Sequence, residues 1–268
     1  MVFLEPRSIA VVGAGGVGGL LGALLARAGN DVRMLARGEA LEAIRLHGVR
    51  LRERDTEVAV PIARVSDHAA DLGVADIVIV TAKTWQLTEL GPRLLPLVGD
   101  RTIVLPLQNG VEASEHLAVA LGERRVIGGI ARVISWIEQP GVIRSLIPPG
   151  LTIGALHPEQ AEGVDACAAT LQTGGIEVAT TDAIQPARWT KLVFIAPYGA
   201  LGAVERLPLG ELRTRQASRA RLVAAMHEVA AVAVARGVDM PADAVASMLA
   251  LIDQLPANAT TSMQRDIA

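Results

Sequence analysis

The sequence is poor in cysteine and in aromatic side chains. Cys167 is the one cysteine among 268 residues, so an intrachain disulfide is impossible, and a reducing, cytoplasmic setting is expected. Aromatic residues make up 2 %, so the core must be built from Ala, Val, Leu and Ile. The net charge of −3, with arginines interspersed among acids, gives no electrostatic basis for binding nucleic acid or an anionic membrane.

Lysine is also scarce, because the 25 basic residues include only Lys83 and Lys191. Lys191 lies in the otherwise apolar stretch RWTKLVFIA. Arginine stays charged in proteins, whereas burial lowers the pKa of a lysine until it can release a proton near neutral pH. Lys191 is therefore a candidate for proton chemistry; the alternative is an amphipathic lysine at a helix edge.

Charge is absent from residues 9–26, a run long enough to resemble a transmembrane helix. The run contains six glycines, which suits a turn between two buried elements better than a spanning helix, so we predict no membrane span. The five histidines are scattered without metal-ligand spacing, and no metal site is expected. Cys167 lies in a helical pattern and is predicted to be a core residue.

Short apolar runs alternate with helical patterns over the first two thirds of the chain. The runs predict strands at 8–13, 31–37, 75–83 and 102–110, a hairpin at 49–62, and helices at 17–29 and 39–48. This alternation favours an α/β fold with a doubly wound, mostly parallel sheet. After residue 183 strand signals nearly vanish, and 221–237 is strongly helical. We predict a helical second domain over 182–268, after a first domain over 1–181.

A glycine-rich turn follows the first predicted strand and opens the first predicted helix. It matches G-x-G-x-x-G, the dinucleotide-binding pattern. The first glycine of this pattern allows a tight turn, and the second allows a pyrophosphate to approach the backbone closely. The third allows close packing of the helix on the strand. The helix N-terminus would supply N–H groups to the phosphates. The predicted cofactor-binding residues of this turn are Gly13, Ala14, Gly15, Gly16, Val17 and Gly18.

The end of the second predicted strand indicates the type of cofactor. NAD-binding proteins place an acid about 20 residues beyond the glycines, where it binds the ribose 2′-hydroxyl. Here the strand ends in Arg37 with no acid, and Arg37 could hold a 2′-phosphate through charge-assisted hydrogen bonds. NADP is therefore favoured over NAD. Lys83, Gln108 and Asn109 follow later strands and are assigned to the same crevice, because ligands bind beyond the carboxyl ends of parallel strands.

The motifs GAGGVGGLLGALLARAGNDVRMLARG, TAKTWQ, LQNGVE, RWTKL and SMQRD, in this order, resemble the ketopantoate reductase (2-dehydropantoate 2-reductase) family over essentially the whole chain. The resemblance implies an N-terminal Rossmann domain and a helical substrate domain. It also implies NADPH-dependent reduction of ketopantoate, a 2-keto acid, to pantoate on the route to coenzyme A. By the same resemblance, Lys191 is the catalytic proton donor and Asn109 orients it and the substrate. Lys83 lies near the nicotinamide, and Ser262 helps to hold the substrate.

The sequence departs from the family pattern in three ways. Asparagines common in the family four and eight residues after the catalytic lysine are replaced by Ile195 and Gly199, which should alter substrate choice. Pro197 should kink or break this helix. A substrate-binding glutamate expected beyond SMQRD is missing before Ala268, and we expect that the sequence is incomplete there. Two alternatives remain open: reduction of a less polar 2-keto acid or ketone, and a non-catalytic NADP-binding sensor. Ala-rich helices such as 221–237 could form a homodimer interface.

Overall fold

The computed structural model describes residues 7–53 and 56–267, which form two compact units. The first unit comprises residues 7–53, 56–108 and 112–184, and the second comprises 109–111 and 185–267. The strands are β1 (Ser8–Val12), β2 (Asp31–Leu35), β3 (Val49–Glu53), β4 (Thr56–Val60), β5 (Arg64–Ser66), β6 (Ile77–Val80), β7 (Ile103–Pro106), β8 (Gly128–Arg132), β9 (Ser135–Gln139), β10 (Val142–Ser145), β11 (Gly150–Gly154) and β12 (Glu177–Thr180). The helices are α1 (Gly16–Arg27), α2 (Gly38–His47), α3 (Leu87–Arg93), α4 (Ala113–Leu121), α5 (Ala161–Thr173), α6 (Ile184–Glu205), α7 (Leu209–Thr214), α8 (Gln216–Ala235), α9 (Ala244–Gln254) and α10 (Ser262–Asp266).

The first unit is built on a five-stranded parallel sheet with the strand order β5-β2-β1-β6-β7. Apolar clusters cover both faces of this sheet, because alternate residues of β1 point to opposite sides: Ile9 and Val11 to one cluster, Ala10 and Val12 to the other. This confirms the predicted doubly wound parallel sheet. The four predicted strands and the β3–β4 hairpin are all present; the charged turn of that hairpin lies outside the described residues.

Two smaller sheets complete the first unit, and of their strands the sequence patterns predicted only β3 and β4, as a hairpin. One has the order β4-β3-β10-β9 and the other β12-β11-β8. Strands β8 and β11 were missed because glycines weaken their strand signal. These glycines reflect crowding: a Cβ at Gly128 would lie 2.5 Å from the Ile184 side chain, and one at Gly129 would lie 2.5 Å from the Pro106 carbonyl oxygen.

Helix α1 packs between two sheets, which explains the uncharged run of residues 9–26. A Cβ at Gly19 would lie 2.7 Å from the Ile143 side chain on β10, and one at Gly22 would collide with the Met34 side chain on β2. Glycine therefore lets the helix approach both layers closely. Among the described residues, no helix is both long and apolar enough to span a membrane.

Cys167 on α5 is buried in the core of the first unit, as predicted. Burial raises the pKa of its thiol to about 12, so it remains protonated and unreactive.

The second unit is helical and has its own apolar core. Val193 and Tyr198 on α6 pack with Leu209, Leu222 and Ile252 from the following helices. Helix α6 runs through Pro197 without interruption, so the predicted break is wrong, and the alternative of a kink stays a prediction. Proline removes only one backbone donor, and the apolar packing on either side of it keeps the helix continuous.

Candidate active site

A cleft of about 430 Å³ lies at the carboxyl ends of β1, β2 and β6 in the first unit. This is the edge of a parallel sheet at which doubly wound proteins bind ligands. Its wall combines apolar side chains with charged ones. The lining residues are Val12, Gly13, Ala14, Gly15, Leu35, Ala36, Arg37, Ala40, Asp67, Thr81, Ala82, Lys83, Gln86, Glu89, Leu90, Arg93 and Ile137.

The glycine-rich turn forms the floor of this cleft. Gly13 has a φ of +99°, a conformation that side chains rarely adopt, and a Cβ at Gly18 would collide with the Gly13 carbonyl oxygen. The protein's own packing therefore requires both glycines. A Cβ at Gly15, by contrast, would have no neighbouring atom within 4 Å, and the backbone of Gly15 is extended (φ −76°). Glycine at position 15 is best explained by space left for a ligand.

The first turn of α1 is suited to an anionic group. No side chain caps the helix N-terminus, and the first turn contains no acid. Its N–H groups can therefore bind phosphate oxygens, and the helix dipole favours negative charge there. Thr81 supports the turn from β6, because its hydroxyl donates to the Gly13 carbonyl at 2.8 Å. The donors and the open glycine fit the pyrophosphate of a dinucleotide.

Two of the predicted cofactor residues bring positive charge to the cleft. Arg37 follows β2 and precedes α2, and its side chain is exposed. Lys83 follows β6, and its ammonium nitrogen lies 5.7 Å from the centre of the Trp85 ring, a cation–π distance. The Gln86 side-chain oxygen accepts a hydrogen bond from the backbone N–H of Lys83 at 3.2 Å. This bond fixes the backbone of the TAKTWQ segment at the rim of the cleft.

Gln108 joins the ends of two neighbouring strands. Its side-chain amide nitrogen donates to the carbonyls of Val80 and Ala82, both at 3.0 Å, and thereby ties the end of β7 to the segment that leads to Lys83. Its side-chain oxygen is buried without a partner among the described residues. Gln108 does not line the cleft, and neither do Gly16, Val17 and Gly18, which continue into α1. Direct contact of these residues with a cofactor stays a prediction.

Lys191 lies in the second unit, on α6, and is only partly exposed. Burial lowers the pKa of its ammonium from 10.5 to about 8. At neutral pH most of the side chain is still charged, but the proton is held far less tightly than on an exposed lysine. These properties suit proton donation, and the assignment of Lys191 as the donor stays a prediction.

The LQNG segment reaches the same part of the helical unit. Residues 109–111 group with the helices, and the Arg188 guanidinium donates a hydrogen bond to the Val111 carbonyl. Val111 also packs with Trp189 on α6 and Ala233 on α8. These contacts attach Val111, two residues after Asn109, to the turn of α6 that precedes Lys191; a direct role of Asn109 stays a prediction.

Ser262 begins α10, which packs against α6 further along. A Cβ at Gly199 would lie 3.9 Å from the Met263 methyl, and one at Gly202 would lie 2.7 Å from the Gln264 side-chain oxygen. The Gln264 amide also donates to the Leu207 carbonyl at 2.9 Å. Gly199 is eight residues after Lys191, so α10 contacts α6 about 12 Å beyond Lys191 along that helix, at 1.5 Å per residue. Lys191 on α6 and Ser262 at the start of α10 therefore lie on different helices and are not adjacent.

The cleft contains residues that the sequence patterns did not indicate. Asp67 directly follows β5, a three-residue strand too short to recognise from its pattern. Glu89 and Arg93 are four residues apart on α3 and line the same wall. That spacing was a detectable signal, because residues four apart on a helix share a face. In the described part of the chain, no group of three or more His, Cys, Asp or Glu side chains could hold a metal ion.

Comparison with protein families gives two matches that follow the two units. Residues 9–158 match the model described as ketopantoate reductase PanE/ApbA, and residues 183–268 match the model of its C-terminal domain. The chain belongs to the ketopantoate reductase family. It is therefore an NADP-dependent oxidoreductase acting on CH–OH groups, and the predicted family and cofactor are confirmed.

Curated relatives support this membership. A 2-dehydropantoate 2-reductase of Nostoc sp. is 31 % identical over 92 % of this chain and 78 % of its own length. A protein of the same name from Mesorhizobium japonicum is 31 % identical over 87 % of this chain and 78 % of its own length.

Solved structures agree with the fold. A 2-dehydropantoate 2-reductase from Geobacter metallireducens has a TM-score of 0.88 and 33 % identity, covering 96 % of this chain and 86 % of that one. D-Mandelate dehydrogenase with NADH and anilino(oxo)acetate has a TM-score of 0.86 at 20 % identity, covering 97 % and 84 % of the two chains. The second likeness shows only that the fold is shared.

Proposed function

We propose that the chain reduces a 2-keto acid to the 2-hydroxy acid with NADPH, and that 2-dehydropantoate, reduced to pantoate for coenzyme A synthesis, is the first candidate substrate. The observation that carries the proposal is the partly buried Lys191, whose pKa is lowered to about 8, in a chain of this family. The family relationship and the two 31 % identical relatives named 2-dehydropantoate 2-reductase support the reaction type.

The cofactor cleft supplies the groups that NADPH needs. The uncapped N-terminus of α1 and the open position at Gly15 would hold the pyrophosphate. Arg37 would bind the 2′-phosphate, and Lys83 lies at the rim formed by TAKTWQ. When bound, NADPH supplies the hydride for the ketone carbon. The remaining chemistry falls to the side chains of the chain itself.

Lys191 is proposed to donate the proton. Negative charge develops on the ketone oxygen during reduction, and a positioned ammonium stabilises this charge and then protonates it. Burial disfavours the charged lysine, which helps the proton to leave and leaves a neutral amine that the apolar surroundings accept. Asn109, two residues before the Val111 carbonyl to which Arg188 donates, would orient the lysine and the substrate.

The substrate end of the site favours a second candidate. Ile195 and Gly199 follow Lys191 by one and two helical turns, and neither side chain can hydrogen-bond a hydroxyl or carboxylate. Beside Gly199 the next side chain is Met263, which is also apolar. A 2-keto acid with a less polar side chain would suit this face of α6 better than ketopantoate. Ser262 at the start of α10 remains a proposed polar contact.

The test is oxidation of NADPH by the purified protein with ketopantoate and with a panel of less polar 2-keto acids. Fast turnover of ketopantoate supports the first candidate. Turnover confined to another keto acid keeps the mechanism and changes the substrate. Tight NADPH binding without turnover of any keto acid would contradict the enzymatic proposal and favour a non-catalytic NADP-binding sensor.

A further inference from the structure

Arg93 is placed at the junction of two cavities. It is the last residue of α3 and lines both the cofactor cleft and an adjoining cavity of about 190 Å³. Leu35 and Asp67 are the other residues common to both walls. Arg93 therefore lies beside the part of the cleft that follows β2, where Arg37 also lies.

Arg93 and Arg37 approach the cleft from two sides of its central strand. Arg37 follows β2 and Arg93 ends the helix after β6, and these two strands flank β1 in the sheet. Neither guanidinium makes a hydrogen bond or ion pair with another described residue. Glu89, one turn before Arg93 on α3, has the spacing for a helical ion pair, yet no such pair forms. Both arginines therefore line the same cleft with guanidinium groups that no other described residue engages.

The negative charge of Asp67 explains why a second arginine, Arg93, is needed in the cleft. Its carboxylate lines the same wall, and a hydrogen bond with His68 at 2.9 Å is the main cause that lowers its pKa, so it is ionised at neutral pH. Without Arg93 the remaining charged residues of the cleft, Arg37 and Lys83 against Asp67 and Glu89, would cancel. A phosphate monoester carries nearly two negative charges at pH 7 and would meet no net attraction there.

We propose that Arg93 is a second specificity-determining residue for NADPH, which binds the 2′-phosphate together with Arg37 and offsets the repulsion from Asp67. This rests on the proposed function, because it assumes that NADPH occupies this cleft. Two guanidinium groups on one phosphate can form several charge-assisted hydrogen bonds. Discrimination against NADH then depends on both arginines.

The experiment uses two cofactor fragments, adenosine 2′,5′-bisphosphate and adenosine 5′-monophosphate, which differ only in the 2′-phosphate. Binding of each to the full chain is measured by calorimetry, so no turnover is needed. Arg93→Gln should weaken the bisphosphate about tenfold or more, the scale of a lost charge-assisted hydrogen bond, and leave the monophosphate within about twofold. Arg93→Lys should keep part of the preference for the bisphosphate over the monophosphate. Lysine retains the positive charge but loses the paired N–H donors of the guanidinium.

Arg101→Gln is the matched control. Arg101 is also exposed but lies just before β7, at the opposite end of the parallel strands, and should change neither affinity. Salt gives a second readout: the bisphosphate affinity of the Arg93 variant should fall less steeply with ionic strength than that of the wild type.

The outcomes separate the inference from the proposed function. A preserved preference for the bisphosphate in Arg93→Gln overturns the inference alone, and so does an equal loss for both fragments, which would make Arg93 structural. Equal binding of both fragments by the wild-type chain overturns the NADPH assignment and the inference with it.

Discussion

Replacing Lys191 with methionine should make the protein more stable and at the same time nearly inactive. Methionine keeps an unbranched side chain of similar length but carries no charge, so the helix and its packing are retained. The reason for the gain is burial: the charged ammonium is disfavoured in the folded state, which is why the pKa of Lys191 falls to about 8. The unfolded chain hydrates this charge freely.

The size of the effect follows from the pKa. A fall from 10.5 to about 8 corresponds to about 3 kcal/mol of unfavourable free energy for the charged form, an upper limit for the stabilisation. The sign depends on pH. Below about 8 both states carry the proton and the folded state bears the full cost. Between about 8 and 10.5 the unfolded state binds more protons, so wild-type stability rises with pH and the advantage of the variant disappears.

The assay is urea unfolding of wild type and Lys191→Met at pH 7 and near pH 10, followed by tryptophan fluorescence. Trp189 is buried two residues from Lys191 and reports on the helical unit. Lys83→Met removes an exposed lysine and serves as the control; it loses the cation–π contact with Trp85 and relieves no charge burial, so no stabilisation is expected. Turnover of Lys191→Met should fall by about 10² to 10⁴, the range for loss of a positioned acid.

Three results would refute this reasoning, the first two for stability and the third for catalysis. A variant no more stable than wild type at pH 7 would mean that the ammonium is adequately solvated and its pKa is not lowered. A stabilisation equal at pH 7 and pH 10 would assign the gain to methionine packing instead of charge burial. A loss of turnover below about threefold would make Lys191 structural.

Three further predictions concern the two units. Gly15→Ala should leave the melting temperature unchanged and weaken NADPH binding, because its Cβ meets open space, whereas Gly18→Ala should lower the melting temperature by colliding with the Gly13 carbonyl; calorimetry and thermal unfolding check the pair. Turnover should fall about tenfold per pH unit above about pH 8 as Lys191 loses its proton, which a kcat–pH profile tests. Ile195→Asn should shift this fall in kcat to higher pH and improve turnover of polar keto acids. If the pH at which kcat falls is unchanged, Ile195 does not contribute to burial of the lysine.

The sequence predicted the parts of the fold that have a strong local pattern. Four of the five parallel strands of the main sheet, the β3–β4 hairpin and the helical second unit were recognised from apolar runs, alternation and helical spacing. The short strand β5 and the other strands of the two smaller sheets were missed because they are short, glycine-containing or exposed, as for Gly128 and Gly129 on β8. Their strand character comes from pairing with distant segments, and a local pattern carries little information about such pairing.

The candidate site divides in the same way. The glycine turn, Arg37 and Lys191 were identifiable because each depends on a local motif or on an unusual residue choice. Asp67 and Arg93 were not, because they reach the cleft only through the strand order, which places the ends of β5 and β6 around those of β2 and β1. The end of β2 carries no acidic residue, but Asp67, which follows the neighbouring strand β5, brings a carboxylate to the same cleft. An inference of cofactor type from one strand end alone cannot include that charge.

The choice of residue at position 195 is proposed to connect substrate polarity with the acidity of Lys191, the proposed proton donor. Side chains four residues apart on a helix lie one above the other, so Ile195 shares a face with Lys191. An asparagine there would offer a hydrogen-bonding group to a polar substrate, and it would also solvate the ammonium and raise its pKa. Isoleucine can do neither: it offers no polar contact, and an apolar side chain there would add to the burial that lowers the pKa of Lys191 to about 8. We therefore expect a preference for a less polar keto acid and a more acidic Lys191 to depend on the same residue, so that a change at position 195 should alter both together.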